Sequence, residues 1–452
     1  MNTTKNSNNF TGKNMEKKIH LGFYMFTPML GGAERLLRDL LFGINREHFK
    51  VSLFYESWPE FDAFLNLDNC PFIQVYTLPI LEPSGHISTA RGSYQIKKPK
   101  KNGPFDLTID LSMVRAFYRK YVPLQIREFF HFLRSFLYFG PDIILLFWAL
   151  RQKKVDVLHI VNGGYPGAVS ARCASLAAKL AGIPVCIMTV CTSPAKREFP
   201  QFIVKKMDKL VCGCVDKFIV PAEPVGRLLT EFREFRPLKL AIIPWGVPAP
   251  KSFLTNSAIA ELRQSLKIPE GVKIIGNIAS FVPRKGHQWL IESIAIIRKK
   301  INNFHVLLVG EGPAKKEIEK QVEALGLKEM VTFAGYRSDT CEITQIFDIF
   351  VYPSVLEGLP ISLLEAMSLA KPIVATPADG ISEAITDGET GFIVPPRDSL
   401  ALAQAIEKFL MNPDLARKIG EAGFVRYREK YTIENMIKQN EILYRRLISE
   451  NK

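Results

Sequence analysis

Two glutamates eight positions apart, Glu357 and Glu365, bracket the run Glu357-Gly358-Leu359-Pro360-Ile361-Ser362-Leu363-Leu364-Glu365. The apolar segment Ile346 to Val351 before it reads as a buried strand. Apolar periodicity after it reads as a helix, so Gly358 to Ile361 is expected to form a strand-to-helix turn. Such a turn presents free backbone N–H groups at the positive end of a helix dipole, which suits phosphate oxygens. A carboxylate at each end of the same element can accept hydrogen bonds from hydroxyls. The chemistry that fits is a ligand with phosphates in the middle and polyols on both sides. Arg284 and Lys285, in Pro283-Arg284-Lys285-Gly286, are candidate partners for the phosphate charge. Gly31-Gly32 precedes a helix and leaves room for backbone to approach a ligand without an intervening side chain.

The Glu-x7-Glu spacing and its surroundings resemble family 4 of the retaining nucleotide-sugar glycosyltransferases (glycosyl transferases group 1). The resemblance extends through Gly276-Asn277-Ile278, Pro283-Arg284-Lys285-Gly286, Leu307-Leu308-Val309-Gly310-Glu311-Gly312-Pro313, Val331-Thr332-Phe333-Ala334-Gly335-Tyr336, Pro372-Ile373-Val374-Ala375-Thr376 and Glu389-Thr390-Gly391-Phe392-Ile393. It implies an α/β protein of GT-B fold, two facing Rossmann-like domains with doubly wound parallel sheets. It also implies site roles. Glu365 would accept hydrogen bonds from the nucleotide ribose, and Glu357 would meet the transferred sugar. Lys285 would offset charge on the departing diphosphate, so Glu357 and Lys285 carry the implied catalytic roles. Gly31, Gly32, Arg284, Gly358, Leu359, Pro360 and Ile361 complete the implied donor site. Asn162 and Cys191 are candidate acceptor or sugar contacts, and His159, ending a strand before a glycine turn, either joins them in the cleft or is a core histidine. Ser280 stands where the family usually has an arginine, Cys191 where many members have a histidine, Trp245 where asparagine is usual, and Asp379-Gly380 in place of Gly-Gly.

No Asp-x-Asp pair is present, and the cysteines 70, 173, 186, 191, 212, 214 and 341 form no paired ligand set. No metal and no cofactor are expected, with the nucleotide-sugar as substrate. The Gly310-x-Gly312 pair lacks a third glycine and is weak evidence for a dinucleotide. The thiols read as those of a cytoplasmic protein.

The elements that must position these groups alternate. Strands are expected at Lys18 to Thr27, Lys50 to Glu56, Val155 to Val161, Pro184 to Val190, Lys217 to Val220 and Leu240 to Ile243. Helices fall between them at about Ala168 to Ala181, Gln201 to Val211 and Ala222 to Phe232, and the segment 57–154 reads as irregular. The expected organisation is a disordered tail 1–14, an acceptor-binding domain 15–244, a donor domain 245–432, and a helix in 433–452 that returns to the first domain by analogy with the family.

The net charge of +14 is concentrated. Arg91 to Lys154 holds thirteen Lys or Arg against four acids, interleaved with aromatic residues up to Trp148. Region 91–139 therefore reads as facing an anionic membrane surface, without spanning it because Arg134, Asp142 and Gly140-Pro141 interrupt the apolar run. Nucleic acid is not expected, since no nucleic-acid-binding signature accompanies the charge. Together with the resemblance, which implies a glycosyltransferase with a UDP-type donor, this charge pattern suggests the inner face of the cytoplasmic membrane and a lipid-linked or oligosaccharide acceptor. Two alternatives stay open: a nucleotide-sugar epimerase of the same fold, and an inactive homologue acting as an assembly partner.

Overall fold

The computed structural model describes residues 18–27, 31–67, 70–78, 124–197, 201–250 and 252–451, with side chains from Phe139 onward in the helix Leu124–Lys153. The expected tail 1–14 and most of region 91–139 lie outside the described residues.

Two parallel sheets organise the chain. The first has strands β1 (Ile19–Met25), β2 (Phe49–Tyr55), β3 (Ile73–Thr77), β4 (Val157–Asn162), β5 (Val185–Val190), β6 (Lys217–Val220) and β7 (Leu240–Ile242), in the order β3-β2-β1-β4-β5-β6-β7. The second has β8 (Lys273–Ile278), β9 (Phe304–Val309), β10 (Val331–Gly335), β11 (Ile349–Tyr352), β12 (Ile373–Ala375) and β13 (Phe392–Ile393), in the order β10-β9-β8-β11-β12-β13. β4, β5 and β9 are buried at every position, as continuous Val/Ile/Leu-rich runs must be when helices cover both faces of a parallel sheet. Each sheet winds outward from its first strand and then reverses, between β1 and β4 in one and between β8 and β11 in the other. Ligands of such sheets lie at the carboxyl ends of the strands flanking that reversal.

Segment 57–154 is not irregular as expected. It contains the helix Pro59–Leu65, strand β3, and the 30-residue helix Leu124–Lys153, which continues through Pro141. Gly140 and Pro141 fall on the exposed side of that helix, where solvent can meet the carbonyl that the missing proline N–H leaves free. Leu146 and Leu150, one turn apart, point inward and are fully buried in the core shared with Val169–Ala181. The sequence placed β11 slightly early, because Ile346 and Phe347 cap the helix Thr340–Gln345 before the strand begins.

The chain crosses between sheets twice at one place. Val247 pairs with Thr432 as an isolated parallel bridge, its N–H donating to the Tyr431 carbonyl and its carbonyl accepting from Ile433 N–H and Tyr427 Oη. A Cβ on Gly246 would sit 2.2 Å from the Thr432 carbonyl, so the two crossings are pressed backbone to backbone. The final helix, Ile433–Glu450, then lies against the first sheet's domain. Its Glu441 accepts from Asn45 N–H, and its Tyr444 ring meets Phe49.

Candidate active site at the interdomain cleft

The loops after β8 and β11 converge where the winding of the second sheet reverses. After β8 the chain makes a single 3-10 turn, Pro283–Lys285, closed by Gly286 at φ 76°. Any Cβ on Gly286 would fall 2.0 Å from the Pro353 carbonyl, so this left-handed position needs glycine for space as well as for φ. Val355 N–H donates to the Arg284 carbonyl at 2.8 Å and completes the seam between the loops.

That seam brings Glu357 and Lys285 together. The Lys285 ammonium is ion-paired with Glu357 Oε1 and donates to Tyr352 Oη at 2.8 Å. Glu357 Oε1 also accepts from Ser354 Oγ at 2.9 Å and Arg284 Nη1 at 3.3 Å, while Arg284 donates to the Leu356 carbonyl. Burial opposes the charge on Lys285, but Tyr352 and Glu357 hold it above the ordinary lysine value. All three donors, Lys285, Ser354 and Arg284, meet Oε1, and Oε2 accepts no hydrogen bond from the described residues.

The helix Ile361–Ser368 begins at Pro360 with no side-chain cap, so its first N–H groups remain donors. Ser362 Oγ ties its first turn to the Ile278 carbonyl at the end of β8. Glu365, one turn further, is buried and accepts from Thr340 Oγ1 at 3.3 and 3.4 Å. From the facing domain, Arg35 Nη1 forms an ion pair with Glu365 Oε1. Gly31 is the uncapped N-cap of the helix Gly32–Gly43, and a Cβ on Gly32 would touch Ile361 Cδ1 at 3.5 Å. Two helix N-termini, one from each domain, therefore abut beside Glu365.

The cleft is closed at its centre. A Cβ on Gly358 would meet the Cys191 carbonyl at 2.1 Å, and Ser193 Oγ donates to the Glu357 carbonyl at 3.0 Å. Ser193 is also hydrogen-bonded to Asp379 Oδ2, which accepts from Glu357 N–H at 3.3 Å. Asp379 occupies φ 37°, ψ −108°, a conformation that disfavours a side chain, and these bonds hold it there. Ser193 is itself placed by the fully buried Arg233, whose guanidinium donates to the Ala195 and Lys196 carbonyls.

The three candidate sugar contacts are placed differently. Of the two positions open to His159, cleft or core, the structure takes the core: both ring nitrogens are engaged, Nδ1 with Tyr444 Oη at 2.7 Å and Nε2 with Thr189 Oγ1 at 2.6 Å. Burial lowers its pKa to about 3. Asn162 is 3% exposed and donates to the Pro166 carbonyl, bracing the turn after β4. The Cys191 thiol is buried and its pKa pushed up by burial, while its carbonyl meets Gly358. Gly310 and Gly312 serve packing, since a Cβ on either would strike the Ala279 or Phe281 carbonyl. Sequence reasoning missed Arg35, Ser193, Tyr352, Thr340 and Asp379 as site residues. Of these, Arg35 and Asp379 sat beside motifs already singled out, and the others carried no local signal.

This two-sheet architecture is that of GT-B glycosyltransferases. Over 95% of this chain and all of the other, it matches the crystal structure of Anabaena Alr3699/HepE in complex with UDP, with a TM-score of 0.69 and 17% identity. Residues 258–426 match the family model Glycosyl transferases group 1. The chain is similar to putative glycosyltransferase EpsD of Bacillus subtilis, 37% identical over 155 residues, which are 34% of this chain and 41% of that protein. It is also similar to the UDP-Gal:alpha-D-GlcNAc-diphosphoundecaprenol alpha-1,3-galactosyltransferase of Escherichia coli, 24% identical over 308 residues, 66% of this chain and 75% of that one. The EpsD match thus spans less than half of that relative's own length.

Proposed function

We propose that the protein is a retaining, metal-independent glycosyltransferase that moves a sugar from a UDP-linked donor to a lipid-linked oligosaccharide. The observation that carries this reading is the convergence of Lys285, Arg284, Glu357 and Glu365 on two uncapped helix N-termini that face each other across the cleft. Cations and N–H donors there suit a diphosphate, and the two carboxylates suit the hydroxyls on either side of it.

In this reading Glu365 accepts from the ribose, and Oε2 of Glu357 accepts from a hydroxyl of the transferred sugar. As the anomeric carbon–oxygen bond breaks, Lys285 turns its charge from Glu357 toward the leaving diphosphate, and Glu357 offsets positive charge on the sugar ring. The acceptor hydroxyl attacks from the same face, and the departing phosphate takes its proton. Anomeric configuration is thereby kept without an enzymic base, consistent with the burial of His159. Lys285, Arg284 and the helix N-termini do the work that a divalent cation does in other diphosphate sites.

The lipid-linked acceptor is supported by the first domain's surface and by the diphosphoundecaprenol-linked substrate for which the Escherichia coli relative is named. The helix Gln201–Cys214 exposes Phe202, Lys206, Lys209 and Leu210, with the Lys206 ammonium over the Phe202 ring. Ile144 and Trp148 are exposed on Leu124–Lys153 near Arg151. Among the described residues no helix is long and apolar enough to cross a membrane, so contact would be with an anionic surface.

The test is binding and slow hydrolysis across a panel of nucleotide sugars, comparing the unaltered protein with Glu365→Ala and Lys285→Ala. One donor should bind, Glu365→Ala should abolish its binding, and Lys285→Ala should abolish its hydrolysis. Conversion of donor to its epimer without acceptor would replace transfer by epimerisation. Binding of no donor would overturn the enzymatic reading.

A further inference from the structure

Arg35 lies in the first turn of the helix Gly32–Gly43, directly behind the Gly31-Gly32 turn. Its side chain reaches across the domain boundary and pairs with Glu365, a contact between residues 330 positions apart in sequence. Among the described residues only Nη1 is engaged in a hydrogen bond, so Nε and Nη2 keep their N–H groups. The side chain remains 30% exposed although its partner carboxylate is 5% exposed. Burial disfavours the guanidinium charge, and Glu365, with Asp39, more than offsets it.

The other cations of the site are grouped elsewhere. Arg284 and Lys285 both lie in the turn after β8 of the second domain and both lean on Glu357, at the start of the loop leading into Ile361–Ser368. Arg35 stands at Glu365, one turn inside that helix, and comes from the opposite domain. A planar fork with one arm fixed on a carboxylate and its other donors unengaged matches the geometry that recognises phosphate oxygens.

We propose that Arg35 is a donor-binding residue: the first domain's own cation for the nucleoside diphosphate, held by Glu365 so that its remaining N–H groups meet the phosphates while Glu365 takes the ribose. This rests on reading Glu365 as the ribose acceptor. A consequence follows for the division of recognition. The second domain suffices for the nucleoside and, through Arg284 and Lys285, holds part of the diphosphate charge, and Arg35 adds the first domain's share.

The test is calorimetric titration of the full chain with UDP, GDP and ADP and with uridine, guanosine and adenosine, for the unaltered protein, Arg35→Ala, Arg35→Lys and Glu365→Ala. Arg35→Ala should weaken the nucleoside diphosphate that binds by about tenfold or more, the scale of a lost charge-assisted hydrogen bond. The matching nucleoside should change by less than about threefold on the same scale. Arg35→Lys, which keeps the charge and loses the fork, should fall between. Thermal unfolding checks that each variant is folded, and Arg35→Lys carries the comparison if the alanine variant is not. Equal weakening of nucleoside and diphosphate would mean that Arg35 only orients Glu365, and tighter binding would make it a restraint; either overturns the assignment. Glu365→Ala without effect on the nucleoside would instead remove the ribose reading, and the Arg35 geometry with it.

Discussion

Replacing Gly358 with alanine isolates domain closure from the fold. The new Cβ would lie 2.1 Å from the Cys191 carbonyl oxygen, 3.1 Å from its carbon and 3.1 Å from Thr192 Cα, all backbone of the facing domain. A backbone oxygen cannot swing away as a side chain can. Since real contacts of this kind stay beyond 3.0 Å, the two domains must part by about 1 Å at this point. Gly358 is not among the residues with positive φ, so alanine is not strained in itself and each domain should fold unchanged. The same parting lengthens the Ser193-to-Glu357 bond and loosens Ser193 on Asp379 and Arg35 on Glu365. A misplacement of ~1 Å between reacting groups costs on the order of 100-fold in rate, about 2.7 kcal/mol of barrier. Transfer or donor hydrolysis should therefore fall by roughly that factor, while nucleoside binding, which uses the second domain, stays within about threefold. Gly163→Ala is the matched control, because a Cβ there meets nothing within 4 Å. Turnover by Gly358→Ala within about threefold of the unaltered protein, or an equal loss in Gly163→Ala, would refute the claim that this contact sets the working geometry.

Two other outcomes are expected. His159 has a folded pKa of about 3 against an ordinary 6.5, so the folded state binds its proton later than the unfolded chain does. The stability this confers is complete above pH 6.5 and drains as pH falls toward 3, about 2 kcal/mol by pH 5. Denaturant unfolding at pH 7 and pH 5 should show that His159→Gln loses this part of the pH dependence, and an unchanged slope would refute the assignment. For the surface, the protein should sediment with phosphatidylglycerol vesicles and not with phosphatidylcholine vesicles. Converting Lys206 and Lys209 together to glutamine should cost about 2 kcal/mol, on the order of 30-fold in partitioning. Equal binding to both vesicles would remove the electrostatic argument.

Some of this molecule was written locally and some was not. Val185–Val190 and Lys217–Val220 were legible because a strand buried on both faces is a short uninterrupted apolar run, whatever it pairs with. Glu357 and Glu365 were legible because the turn between them needs its donors and acceptors at fixed spacing along one element. Glycine at 286 could be read as part of a motif, but its steric reason, the Pro353 carbonyl, belongs to another loop. The long helix through Pro141 was missed because proline's local cost is visible in sequence, while the solvent-facing position that reduces it is not. His159 stayed open between cleft and core for a related reason: a strand-end histidine looks alike in either until Tyr444, 285 residues away, arrives to satisfy it. The pairs that close the cleft, Arg35 with Glu365 and Ser193 with Asp379, join residues 330 and 186 positions apart. Sequence determined which groups each domain brings to its strand ends; only packing of the domains decided which of them meet, because that depends on the rigid-body placement of two sheets and on no local propensity.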